Sequence, residues 1–106
     1  MAKERQFVIY LDDAATVRQR TRFVTERKSI IEFVVQLEVQ HQGRWKPVLR
    51  YDGAHGFAHR DRYNLRGEQR KEALPLDFRD ALTYAIADLR ARWPDYVERF
   101  LRGEHP

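Results

Sequence analysis

The chain has 106 residues, a formal net charge of +4, no cysteine, and 34% charged against 42% hydrophobic residues. That length gives one domain with a modest core, here spanning residues 1–106, and the 13 aromatic side chains exclude an intrinsically disordered chain. The missing cysteines exclude disulfide and thiolate chemistry and suit a reducing cytoplasm.

In chain order, Phe7 to Leu11 is a short apolar run. It is too short for a signal-peptide core or a membrane span, so a soluble, cytoplasmic protein with no membrane partner is expected, and the run itself reads as a strand. Asp12-Asp13-Ala14-Ala15 breaks it, and Val17 to Thr25 follows as a second strand with Arg18, Arg20 and Arg22 alternating onto one face. Glu26-Arg27-Lys28 is a polar turn.

Ile30 to His41 is the clearest strand. Ile31, Phe33, Val35, Leu37 and Val39 fall on one face, and Glu32, Val34, Gln36, Glu38 and Gln40 on the other. A turn at Gln42-Gly43-Arg44 leads to a strand from Trp45 to Tyr51. A three-residue loop pairs Val39 with Pro47, Leu37 with Leu49, Val35 with Tyr51 and Gln36 with Arg50, which keeps one face apolar; a two-residue loop pairs Val39 with Lys46 and Leu37 with Val48 and does not. The longer loop is therefore expected. Pro47 has no N–H and should sit away from a paired neighbour or at an irregularity.

Phe57 to Tyr63 and Gln69 to Ala73 read as further strands, separated by a turn around Gly67. Asp77 is placed to cap a helix carrying the stripe Phe78, Ala81, Leu82, Ala85, Ile86, Leu89 and Trp93. Pro94 fits the first turn of a second helix, Asp95 to Arg102. The expected fold is α+β: an antiparallel sheet of about four to six strands over residues 6–73, followed by C-terminal helices over 77–102 packed on one face.

The charge is uneven. Residues 16–71 hold 13 Lys/Arg against 6 Asp/Glu, a net +7, whereas residues 77–102 hold five of each, and 16 of the 20 basic residues are arginine. Arginine makes forked contacts to phosphate and stacks on bases, so nucleic acid, RNA foremost, is a candidate partner.

Residues 50 to 63, Arg-Tyr-Asp-Gly-Ala-His-Gly-Phe-Ala-His-Arg-Asp-Arg-Tyr, gather the groups that could move protons and hold phosphate. Metal-independent RNA cleavage needs a base, an acid and a cation at the phosphorane. His55 and His59 could supply the proton roles, Asp52 or Asp61 could orient a histidine, and Arg50, Arg60 and Arg62 could hold phosphate, with Tyr51 or Tyr63 stacking a base. Strand alternation puts Phe57, His59, Asp61 and Tyr63 on one side, Arg60 and Arg62 on the other, and His59 about 7 Å from Asp61 along the strand. The bland reading makes Asp52 a turn former, His59 a sheet residue satisfied by Asp61, and the arginines a solvated face. A His55, His59, Asp61 metal set is a lesser reading, because Gly53 and Gly56 disfavour the helix that would pair the histidines; neither metal nor cofactor is expected.

The run Arg50 to Asp61 resembles the Arg-Tyr-Asp-x-Ala-His-Gly-x-x-His-Arg-Asp core of a group of small, largely uncharacterised bacterial and archaeal proteins. The Val-Gln-Leu strand (Val35 to Leu37), the Gly-Arg-Trp turn (Gly43 to Trp45) and the Pro-Leu-Asp helix start are similar as well. A looser likeness, through Arg50, Tyr51, Asp52, His55 and His59, is to TumE-type toxins of toxin–antitoxin pairs, although the paired histidines of those toxins are single here. It implies a toxin-like ribonuclease with an antitoxin partner; a homodimer is a separate candidate assembly. The alternative is a non-catalytic module that binds nucleic acid or protein, or a subunit of a larger assembly.

Overall fold

Six strands form one antiparallel sheet in which each pairs with its sequence neighbour. In the computed structural model, which describes residues 1–106, these are β1 (Lys3–Tyr10), β2 (Val17–Glu26), β3 (Ser29–His41), β4 (Arg44–Asp52), β5 (His59–Tyr63) and β6 (Gln69–Ala73). One helix, α1 (Phe78–Leu101), follows and lies against β3 and β4. The α+β expectation holds in its outline; the plural helices do not.

Period-two alternation decides which face is covered. Phe33, Val35, Leu37 and Val39 of β3 and Leu49 and Tyr51 of β4 are buried with Ala81, Leu82, Ala85, Leu89, Val97 and Phe100 of α1. The helix starts where expected: the Asp77 carboxylate accepts from the backbone N–H of Asp80 at 2.8 Å. It does not break at Pro94. The burial stripe continues through Trp93, Tyr96, Val97 and Phe100, while Arg90 and Pro94 are exposed. The Arg90 carbonyl that proline leaves without an N–H partner therefore faces water, and packing on the far side carries the helix through.

The β3–β4 hairpin does not have the expected three-residue loop, yet it recovers most of that loop's register. Its turn is the tight two-residue kind, Gln42 and Gly43 with φ of 53° and 77°, so His41 faces Arg44 and Val39 faces Lys46. The register then shifts between Leu37 and Glu38: Glu38 faces Pro47, Leu37 faces Leu49, and buried Val48 is the extra residue. This bulge restores the apolar pairing that the longer loop was expected to supply. Pro47 sits at the irregularity, as its missing N–H requires. Gln36 faces Arg50 as expected, and Gln40 faces Trp45.

At the β4–β5 connection, Gly53 approaches Phe78 so closely that a Cβ there would lie 2.6 Å from the ring. The chain then makes a short 3-10 turn, Ala54–Gly56, with His55 in the left-handed region at φ 68°.

Candidate functional site

The face of the sheet away from α1 carries an array of charged and amide side chains. On β2 and β3 Arg18, Arg20 and Arg22 alternate beside Gln36 and Glu38. Arg18 Nε donates to Glu38 Oε1 at 2.6 Å, and the Arg18 guanidinium lies 3.8 Å from the centre of the Trp45 ring. Arg20 reaches the second Glu38 oxygen at 3.4 Å, and Arg22 pairs with Glu4 and, at 3.6 Å, with Glu32. The arginine stems cover Glu38 and Gln36, which are buried although they lie on the open face. Much of the net positive charge is thus neutralised locally. Arg20 and Arg22 nevertheless keep side-chain exposures of 54% and 41%.

A cleft of about 390 Å³ opens on this face, lined among others by Gln6, Val8, Arg20, Arg22, Gln36 and Arg50. Arg50 donates through Nε to Gln36 at 2.6 Å. It also sits opposite Asp61 across β4–β5, and so stands between the cleft and a second polar group.

That second group is Asp52, His59 and Asp61, all buried. Asp52 ends β4, His59 begins β5, and the two are cross-strand partners. His59 Nε2 lies 2.6 Å from Asp52 Oδ1 and 3.8 Å from Asp61 Oδ2; its Nδ1 faces the Phe57 carbonyl at 3.4 Å. Asp52 Oδ1 also accepts from the Ala54 N–H at 3.1 Å. Asp61 Oδ1 is buried and has no hydrogen-bond partner. Tyr63 follows on the same side; burial, with Asp61 and Asp52 adding to it and Arg50 opposing, raises its hydroxyl pKa above the ordinary value.

The residues singled out from the sequence fall into two groups. Arg50, Asp52, His59, Asp61 and half-buried Tyr63 share the open face, with exposed His55 beside them, its ring centre 6.4 Å from that of His59. The partner orienting His59 is Asp52 across the turn, closer than Asp61 along the strand. Tyr51, Arg60 and Arg62 lie on the opposite, helix-facing side. Tyr51 is fully buried, which removes it as a base-stacking surface. Arg60 donates from Nη1 to the Tyr51 hydroxyl at 3.1 Å and from Nε to Glu72, while Arg62 binds Glu72 at 3.0 Å and the Pro106 carbonyl at 2.9 Å. Burial opposes the charge on Arg60, but Tyr51 and Glu72 more than offset it, and its pKa is raised. These two arginines are tied into the fold and cannot join Arg50 at one phosphate.

Asp88 was not singled out from the sequence. It is a buried carboxylate on α1 that accepts from the Tyr51 hydroxyl at 2.5 Å and from the Tyr96 hydroxyl at 2.7 Å. The signal that could have found it is an acid at helical spacing from Ala81 and Ala85, inside the apolar stripe.

The molecule is thus a small α+β protein: a six-stranded meander backed by one helix, with an arginine-lined cleft beside a buried Asp–His–Asp group. A family model described as a domain of unknown function, DUF7718, matches residues 1–106, and the chain belongs to that family. No curated protein and no solved structure matches it.

Proposed function

We propose that the protein binds single-stranded nucleic acid, RNA foremost, through the open face of its sheet. The observation carrying this reading is the convergence of Arg20, Arg22 and Arg50 on one cleft with a neutral hydrogen-bonding side chain, Gln36, between them. Guanidinium groups along a groove suit a phosphate backbone, and the flanking Trp45 and Tyr10 offer aromatic surface next to Arg18. Binding would be sequence-tolerant and salt-sensitive.

Fluorescence anisotropy with a labelled single-stranded RNA over a series of salt concentrations tests this. Arg20→Gln/Arg22→Gln should weaken binding and reduce the log–log salt slope by about 0.7 for each phosphate that is no longer neutralised. Arg90→Gln/Arg99→Gln, exposed on the helix, should leave both unchanged. Absence of salt-dependent binding, or equal weakening in both variants, defeats the reading.

Cleavage by a toxin-like ribonuclease is the second reading, favoured by exposed His55 beside the Asp52–His59 pair. His59 is 1% exposed and both its ring nitrogens face protein acceptors. One accessible imidazole stands where the reaction asks for two proton-transfer groups, so binding is the better-supported activity. In the toxin reading an antitoxin would cover the same cleft. Incubation of total RNA with wild type and His55→Ala separates the two: identical, intact RNA in both lanes leaves binding alone.

A further inference from the structure

We propose that Asp52, His59 and Asp61 form a binding site for one divalent transition-metal cation of the zinc class. One donor atom from each residue lies within 4.8 Å of the other two, and all three residues are buried.

The hydrogen bonds around His59 carry the inference. Its Nδ1 faces the Phe57 carbonyl at 3.4 Å, and in the tautomer that donates to this carbonyl the proton is on Nδ1. In the neutral imidazole, Nε2 is then a bare lone pair, and it faces carboxylate oxygens of Asp52 at 2.6 Å and Asp61 at 3.8 Å. Neither carboxylate can donate to it when ionised. In that tautomer the three groups lack a donor among them, and either a further proton, on Nε2 or on a carboxylate, or a bound cation supplies the missing positive charge.

Two observations favour the cation. A proton on Nε2 is taken up by Asp52 Oδ1, which already accepts from Ala54, and it leaves Asp61 Oδ1 buried without a partner. An unpaired buried carboxylate oxygen is costly, and a metal bound to Asp61 would compensate that charge. The supporting contacts are also those of a metal site. A ligating histidine usually gives its second N–H to a carbonyl, and ligating carboxylates are themselves hydrogen-bonded; Phe57 and Ala54 fill those roles here. Arg50, opposite Asp61, supplies one positive charge against two carboxylates, and its Nε is engaged by Gln36.

One imidazole nitrogen with carboxylate oxygens suits zinc, and ligand oxygens and nitrogens around it stand about 3.3 Å apart, given metal–ligand distances of about 2.0–2.2 Å. The His59–carboxylate separations of 2.6 and 3.8 Å bracket that spacing, and all three donor atoms lie within 4.8 Å of one another. Three protein ligands leave a fourth tetrahedral position for water. The site does not depend on the nucleic-acid reading, and its test contains no nucleic acid.

Protein stripped with a chelator and dialysed is titrated with Zn²⁺ by calorimetry, and with Co²⁺ followed by visible absorption. One equivalent per chain and tetrahedral Co²⁺ bands are expected. Asp61→Asn keeps the side-chain shape and should weaken binding by more than about tenfold. His59→Gln should abolish it, with Asp52→Asn as the second carboxylate variant should His59→Gln fail to fold. The His41→Gln/His105→Gln control should bind like wild type. No binding by wild type, undiminished binding by Asp61→Asn or Asp52→Asn, or loss in the His41/His105 control overturns the proposal.

Discussion

The Tyr51 hydroxyl donates to Asp88 across the sheet–helix interface at 2.5 Å, and Tyr96 donates to the same carboxylate oxygen from the next turns of the helix. Removing the acceptor strands both hydroxyls. Asp88→Ala is expected to cost about 2–4 kcal/mol, whereas Tyr51→Phe leaves Asp88 bonded to Tyr96 and should cost about 1 kcal/mol beyond any loss at Arg60. Urea denaturation of the two variants measures both. Equal costs would mean that the carboxylate is not shared.

The same carboxylate makes stability depend on alkaline pH. Burial first, then the hydrogen bond to Asp88 and its negative charge, push the Tyr96 hydroxyl up to about 12. The folded state thus holds this proton more tightly than the unfolded chain, whose tyrosines titrate at about 10. The resulting stabilisation is fully present below about pH 10 and is lost as pH rises through the folded value. Melting temperatures taken across that window should fall, and fall less steeply in Tyr96→Phe. Tyr51 is raised for the same reasons, so some slope should survive in that variant.

Gly53 and Gly43 should fail on mutation for different reasons. A methyl group at Gly53 would meet three Phe78 ring atoms at 2.6, 2.9 and 3.0 Å, while its φ of −113° suits any residue. Gly53→Ala should therefore cost about 1–3 kcal/mol through overpacking, and Phe78→Leu in the same chain should recover part of it. At Gly43 a Cβ meets nothing within 4 Å but φ is +77°, so Gly43→Ala should lose about 1 kcal/mol that no change at a neighbour restores. Chemical denaturation of the single and double variants decides between the two mechanisms.

Pro94→Ala should stabilise the protein. The helix already runs through this exposed position, and alanine returns an N–H to the Arg90 carbonyl. The propensity difference of about 3 kcal/mol is offset by about 1 kcal/mol of extra chain freedom in the unfolded state, and by the solvation open to a carbonyl on an exposed residue. A net gain of about 1 kcal/mol is expected, read as a higher denaturation midpoint at unchanged slope. A lower midpoint would mean that the helix is bent at Pro94 to fit the sheet.

Strand identity and facing were legible because the alternation in β3 is nearly unbroken, and keeping one face apolar places Gln36 opposite Arg50. The turn itself was not: a bulge at Val48 gives a tight turn the register of a longer loop, and bulges leave no mark in a hydrophobic pattern. Pro94 misled because the rule against proline in helices is local, whereas the packing of Val97 and Phe100 is not. In the candidate site, alternation correctly separated His59 and Asp61 from Arg60 and Arg62. It could not show that Arg60 and Arg62 face the helix, nor that Asp52 lies closer to His59 than Asp61 does. Those facts depend on which face α1 covers and on how the chain closes around Gly53.

Every strand in this sheet pairs with the one beside it in sequence, from β1 through β6. No β-pairing therefore waits for a distant segment to arrive: the sheet can grow by successive hairpin closures, each over a short loop, which lowers the entropic barrier to folding. The helix is the exception. Until residues 78–101 dock, Val35, Leu37 and Leu49 have nothing over them, so the rate at which that one element lands sets how long the nascent sheet shows an adhesive surface to its neighbours.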